Sequence, residues 1–180
     1  MNNIEHYLIV DLEATCCNQE SIPRREMETI EIGAVMVRAD TLNTVDEFCT
    51  FIKPVRHPIL TNFCTELTSI EQTDVDAALK FPAAVDAFKR WMYQYPNFLF
   101  CSWGDYDKHQ LRQDCGYHRL PFPIGAPHVN IKVRFSERQN LRKKLGMTEA
   151  LRHCSIPLEG KHHRGIDDAR NMARLLPFIF

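Results

Sequence analysis

The chain has almost no net charge. Its 22 Lys and Arg residues face 23 Asp and Glu, a formal balance of −1. No molecule-wide positive field would steer it to a polyanion, so any nucleic-acid contact has to be local. Long apolar runs are also missing, which excludes a membrane-spanning helix. The opening Met1-Asn2-Asn3-Ile4-Glu5 lacks the basic and then apolar stretch of a secretory signal. The apolar ending, Leu175-Leu176-Pro177-Phe178-Ile179-Phe180, is expected to pack on the body and not to enter a membrane. The seven cysteines are odd in number and contain no C-x-x-C pair. Several sit in apolar strand-like runs, where a free thiol behaves as a small hydrophobe. That excludes a disulfide framework and points to a reducing cytoplasm. Cys115-x-x-His118 is half a zinc pattern with no second half. Repeats, low-complexity tracts and linkers are absent as well. Residues 1–180 therefore read as one domain, with 44% hydrophobic residues to fill its core.

What is there alternates. Tyr7-Leu8-Ile9-Val10 has the composition of a buried strand, within a first strand over about 6–13. Two more strands read over about 29–37 and 46–52, joined by a hairpin at Asp40 and Asn43, and Pro54 and Pro58 end the third. Short helical pieces follow around 59–73, and a longer helix over about 82–94 carries Val85, Phe88, Trp91 and Met92 at helical spacing. Phe98 to Trp103 reads as a fourth, buried strand, and a helix from about Asp105 to Cys115 stops at Gly116. A short fifth strand lies near 128–131, with helices near 134–145, 148–154 and 166–176, the last closed by Pro177. Three strands followed by alternating helix and strand predict an α/β fold, a mixed five-stranded sheet flanked by helices. Sites in such sheets form beyond strand ends, where loops converge.

Acids stand at those ends. Asp11 and Glu13 follow the first apolar run, and alternation puts both on one face. Two carboxylates held close repel unless a cation sits between them, and Mg2+ is bound through such oxygens beside substrate phosphates. Asp105 and Asp107 follow the fourth strand. Asp107 shares a helix face with Leu111 and Cys115, so it is expected to turn toward the sheet, while Asp105 caps the helix. In Lys161-His162-His163-Arg164-Gly165-Ile166-Asp167-Asp168 two registers compete. Asp167 lies with Arg170, Asn171 and Arg174, a solvated stripe, whereas Asp168 lies with Met172 and Leu175, a packed one. An acid on the packed side needs a partner or a cation, which favours Asp168 and, by the same spacing, His163. Gly165 is expected to give the loop freedom to swing that histidine inward. Four acids can hold two divalent ions, and two ions can clamp an in-line displacement at phosphorus. A histidine titrates near working pH and can take a proton from water. The set predicts a metal-dependent phosphodiesterase.

At these residues the chain resembles the DEDDh 3'–5' exonucleases, whose fold is ribonuclease H-like. The resemblance covers nearly the whole chain. Asp11-Leu12-Glu13-Ala14-Thr15-Cys16 is similar to the first motif of the branch that trims histone-mRNA stem-loops and small interfering RNAs. Glu31-Ile32-Gly33-Ala34-Val35 resembles its second strand. Phe51-Ile52-Lys53-Pro54 and Phe63-Cys64-Thr65-Glu66-Leu67-Thr68-Ser69-Ile70 look like the segment lining the nucleotide site. Ser102-Trp103-Gly104-Asp105-Tyr106-Asp107 and His163-Arg164-Gly165-Ile166-Asp167-Asp168-Ala169-Arg170-Asn171 resemble the second and third motifs. Much of the wider family has Ala where this chain has Gly165, which fits the branch. The resemblance implies hydrolysis of single strands from the 3' end to 5'-mononucleotides, with two Mg2+ or Mn2+ ions. It implies Asp11, Glu13, Asp107 and Asp168 as metal ligands and His163 as general base. It also implies Ala14 and Thr15 at the terminal sugar and base, and Leu67 wedged beside the last base. Trp103 is either a stacking residue or a core residue after a buried strand.

The expected partner is a single-stranded 3' end, RNA ahead of DNA, with no membrane and no obligate protein partner. Arg134, Arg138, Arg142, Lys143 and Lys144 are expected on one helix, and Lys161 and Arg164 flank His163. These cations suit phosphates, and a solvated amphipathic face explains the first cluster equally well. Eukaryotic members often carry an extra RNA-binding domain that this chain does not show, so stem-loop recognition is not expected. Asp11-x-Glu13-x-Thr15 also resembles the aspartyl-phosphate phosphatases, but their second acid is Asp and His163 has no role there. The alternative is a catalytically inactive nucleic-acid-binding module on the same fold. It would have lost at least one of the five residues, and none is missing.

Overall fold

The computed structural model describes residues 4–19 and 21–180; Met1 to Asn3 of the opening segment lie outside them. Among the described residues six strands form one sheet: β1 His6–Ala14, β2 Thr29–Arg38, β3 Thr44–Lys53, β4 Leu79–Lys80, β5 Phe98–Ser102 and β6 His128–Asn130. Their order is β4-β3-β2-β1-β5-β6. The first three are antiparallel neighbours, and β5 and β6 add in parallel beyond β1. The mixed sheet is as expected, but the count of five is not. The sixth strand is a two-residue edge that pairs with Ile52 and Lys53, too short to leave a periodic signal. β1 and β2 are central and covered on both faces, which is why they read as continuous apolar runs.

Among the described residues seven α-helices accompany the sheet: α1 Asn62–Thr68, α2 Gln72–Asp76, α3 Phe81–Met92, α4 Tyr106–Tyr117, α5 Ile131–Arg138, α6 Met147–His153 and α7 Gly165–Leu175. α3 and α4 pack on one face through Val85, Phe88, Met92 and Leu111 against Leu8, Val10, Ile32 and Ala34. α5, α6 and α7 pack on the other through Phe135, Leu151, Ala169 and Met172 against Ile9, Val35 and Val37. Burying two apolar stripes on two faces of one sheet yields three layers.

Two boundaries differ from expectation for local reasons. The helix expected over about 134–145 stops at Arg138. Asn140 takes the left-handed conformation (φ 52°), and the Leu141 N–H returns to the Ser136 carbonyl at 2.8 Å. That is a helix stop of the Schellman type, with Asn where Gly is commoner. α4 runs through Gly116 to Tyr117, and Arg119 (φ 55°) closes it in the same way.

α7 lies against β1 and β2 at a point where two glycines meet. A Cβ on Gly33 would come within 2.0 Å of the Gly165 carbonyl carbon, and one on Gly165 within 2.9 Å of the Asp11 carbonyl oxygen. Gly165 was expected to loosen its loop. It sits instead in the first turn of α7 and permits close packing of helix on sheet.

The C-terminal segment packs on the body, with Ile179 buried and the Phe180 ring stacked 4.2 Å from Tyr7. All seven cysteines are free. His118 stacks on Phe81 and forms no metal-holding group with Cys115 among the described residues. No helix among the described residues is long and apolar enough to cross a membrane.

Candidate active site

β1 and β5 pair only from His6↔Phe98 to Ile9↔Cys101. Beyond that point they diverge, and the edge of β1 is left open. The Leu12 N–H on this edge has no strand partner. It donates to Asp107 Oδ1 at 3.0 Å, which ties the start of α4 to the end of β1. Asp107, Leu111 and Cys115 are all buried, as the shared helix face predicts. Asp105 occupies the cap position but makes no cap hydrogen bond. Its carboxylate accepts from Asn130 Nδ2 (2.8 Å) and Lys108 Nζ (3.3 Å), so its expected capping role is replaced by a link to β6.

Asp168 arrives from the other side. Glu31 lies opposite Glu13 in the β1–β2 ladder and is fully buried. Two acids facing each other across strands are destabilising. Arg164 resolves this by donating through Nε to Glu31 Oε2 at 3.1 Å, and the Gly165 N–H donates to the same oxygen at 3.0 Å. The start of α7 is thus fixed to β2, and one turn later Asp168 faces Asp11 and Glu13. Arg164, expected among the cations suited to phosphates, is instead the partner of Glu31, a pairing the sequence did not reveal. An acid inside the apolar run Ile30-Glu31-Ile32 was the available signal, since it needs a buried partner.

Asp11, Glu13 and Asp168 offer oxygens that all lie within 4.8 Å of one another. With Asp107, His162 and His163 they line a cavity of about 370 Å3, whose other walls are Leu12, Trp103, Tyr106, Gly146 and Met147. Among the described residues no Lys or Arg side chain lines the cavity, and the histidines touch only Asp168 of the four acids. Burial, and then Asp107, Glu13 and Asp168, push Asp11 well above the carboxylate range. Glu13 is pushed up to about 9 by burial and then by Asp168 and Glu31. Burial raises Asp107 to about 7 against the Leu12 hydrogen bond. Burial also raises Asp168, against its hydrogen bonds from His163 and His162. Uncompensated carboxylates at this density fit divalent cations held through oxygen.

The two histidines share the work at Asp168. His162 Nδ1 lies 2.9 Å from Asp168 Oδ2, and the His163 backbone N–H donates to the same oxygen at 3.0 Å. Their rings stack with centroids 3.9 Å apart. His163 is left-handed (φ 64°), an uncommon state for a residue with a Cβ. Burial and then His162 hold its imidazole below the ordinary value. Asp167 is turned away, accepting from the Lys161 N–H (2.9 Å) and Arg170 (3.1 Å). Its expected stripe is only partly solvated. Asn171 is fully buried, bonded to both backbone groups of Glu159.

Trp103 stands between core and cavity. It lines the cavity, and its ring tilts on Phe135 while Nε1 donates to the Leu145 carbonyl at 3.1 Å. Ala14, Thr15 and Leu67 are not brought into the cavity wall. The Thr15 hydroxyl accepts from the Glu28 N–H at 2.9 Å, and Leu67 is half-buried on α1. Tyr106 and Met147 are wall residues that the motifs did not single out.

Residues 8–176 match the family model described as exonuclease (RNase T). The chain belongs to the DEDDh 3'–5' exonuclease family. It is 32% identical over 196 residues to the 3'–5' exonuclease Snipper of Drosophila melanogaster, covering 98% of this chain and 69% of that protein. It is 31% identical over 179 residues to human ERI1 exoribonuclease 3, covering 95% of this chain and 52% of the relative. It spans only 28% of human ERI1 exoribonuclease 2. Among solved structures, the nuclease domain of 3'hExo, a DEDDh family member bound to rAMP, superposes with a TM-score of 0.90 at 27% identity, covering 96% of this chain and 90% of that one. The ribonuclease H-like exonuclease fold is thereby shown.

Proposed function

We propose that this chain hydrolyses single-stranded RNA, and DNA less readily, from the 3' end to 5'-mononucleotides. The observation that carries the reading is the convergence of Asp11, Glu13, Asp107 and Asp168 on one cavity that, among the described residues, no Lys or Arg side chain lines. The names of the relatives, two of them exoribonucleases, support the RNA preference.

The four carboxylates would hold two divalent cations, Mg2+ or Mn2+. When bound, these activate the attacking water and stabilise the leaving oxygen. The remaining work falls to the chain. His163 takes the proton from the attacking water, and its depressed pKa keeps the imidazole neutral and able to accept. His162 lies on Asp168 and holds its carboxylate in place. Trp103 and Tyr106 form the aromatic wall on which a terminal base can stack. Ala14, Thr15 and Leu67, which lie outside the cavity wall, are the contacts we propose for the terminal nucleotide. The cytoplasm remains the expected compartment.

The test is a gel. Purified protein is incubated with 5'-labelled single-stranded RNA and matching DNA, in Mn2+ and in EDTA. A ladder shortening from the 3' end and abolished by EDTA is the expected result. Intact strands in Mn2+ with a retarded band on a native gel would make the chain a binding module instead.

A further inference from the structure

Five cations crowd into residues 134–144, and the sequence pattern put them all on one helix. The fold separates them. α5 ends at Arg138, and Asn140 turns the chain. Arg134 lies with its guanidinium 4.5 Å from the Phe180 ring centroid. Arg134 and Arg138 line a separate cavity with Glu137, Ile179 and Phe180. They belong to the surface around the C-terminus.

Arg142, Lys143 and Lys144 lead elsewhere. The next residue, Leu145, is buried, and its carbonyl is held by Trp103 Nε1. The two after it, Gly146 and Met147, are walls of the acid cavity. Successive Cα atoms are about 3.8 Å apart, which puts the Lys144 Cα within about 7.6 Å of the Gly146 Cα and the Arg142 Cα within about 15 Å. All three cations are exposed. Among the described residues only Lys143 has a carboxylate partner, an exposed contact with Glu149 at 3.4 Å. By contrast Arg56, Arg164 and Arg170 are each paired with an acid. The turn joins directly to the cavity wall at Gly146 and Met147, so its exposed cations stand where the phosphates of a strand running out of the cavity can be held.

We propose that the Arg142-Lys143-Lys144 turn grips the backbone phosphates of the strand upstream of the reacting nucleotide, and that Arg134 and Arg138 take no part. The inference rests on the exonuclease reading of the cavity. Phosphate contacts are blind to base and sugar, so the turn acts alike on RNA and DNA. Trp103 is a positioning residue for it, through the Leu145 carbonyl.

Two double variants test the proposal, R142Q/K144Q and R134Q/R138Q, in the full chain with Mn2+. KM is measured for a long single-stranded RNA oligonucleotide and for a dinucleotide, across a series of KCl concentrations. For single strands each lost phosphate contact costs about 5-fold at 0.1 M salt and about 0.7 in the log–log salt slope. R142Q/K144Q should therefore raise KM for the long substrate about 25-fold and flatten the slope by about 1.4, with a far smaller change for the dinucleotide. R134Q/R138Q should leave both values as in the parent. All four side chains are exposed, so unchanged thermal midpoints would confirm that the variants are folded. Equal salt slopes in the parent and R142Q/K144Q, or a larger effect of R134Q/R138Q, would overturn the proposal while leaving the exonuclease reading intact. Failure of the parent to degrade either substrate would remove the exonuclease reading itself.

Discussion

At the scale of the residue, the two histidines set a clear choice. His162 makes the side-chain contact with Asp168, while His163 contributes its backbone N–H and a freer ring. A general base needs a ring free to meet water. His163→Ala should lower turnover by roughly 10²-fold or more, the range for a lost general base. His162→Ala should cost less than that, since Asp168 keeps its hydrogen bond from the His163 N–H. Single-turnover rates on RNA would check the order, and a larger loss at His162 would exchange the two roles. Asp168→Ala should be at least as damaging as His163→Ala. Asp167→Ala should be milder, because Asp167 holds only the turn at Lys161 and Arg170.

At the scale of the element, the site depends on how closely α7 and α4 are held to the sheet. The contact of α7 has no room for a methyl group. In Gly33→Ala the new Cβ would meet the backbone of Gly165 and Ile166, and backbone cannot rotate away. The expected loss is about 3 kcal/mol, the upper part of the usual range for overpacking, measurable by urea unfolding. α4 is held by a second buried network. Asp114 accepts from the Thr29 N–H (3.0 Å), the Thr29 hydroxyl (2.6 Å), Gln110 Nε2 (3.0 Å) and Arg56 (3.2 Å). Arg56 is mostly buried, and its Nε already has no hydrogen-bond partner. Asp114→Ala would leave Arg56 with Glu28, 3.8 Å from its Nε, as its remaining carboxylate and the buried Thr29 N–H without an acceptor, at a cost of about 1–3 kcal/mol. The same denaturation experiment checks it, and a loss under about 1 kcal/mol would mean that water reaches Arg56 readily.

At the scale of the whole molecule, a chain of nearly zero net charge concentrates acid in one cavity. Glu13 at about 9 and Asp107 at about 7 lie above their unfolded values, so the native state holds more protons than the unfolded one between those limits. Their contribution to stability is fully present below the unfolded carboxylate pKa and is lost as pH rises through about 7 and then about 9. Without metal the thermal midpoint should fall between pH 6 and about 9. Added Mn2+ should restore more of it at the upper end, since the ligands must be deprotonated and metal uptake then releases protons. Thermal melts with EDTA and with Mn2+ across that range would check both signs. A metal-free midpoint rising with pH would show that the acids are compensated by groups outside the cavity.

Composition and periodicity determined a great deal by themselves. The apolar runs specified the central strands, because β1 and β2 are buried on both faces and their sequences answer to burial. Helix faces selected Asp107 over Asp105 and Asp168 over Asp167, because a helix has one packed side and the neighbours at three and four residues reveal it. The motif flanks named the family. What depended on contacts between distant segments was not legible. Leu79–Lys80 is a strand only because β3 offers it an edge. Gly165 is explained by Gly33, which lies on another element, and Glu31 by Arg164, far along the chain. The basic residues after α5 were misplaced on one helix because Asn140 stands in for the usual glycine stop. Only the tertiary fold could divide them, since which cations adjoin the cavity wall depends on where Trp103 and Leu145 hold the turn.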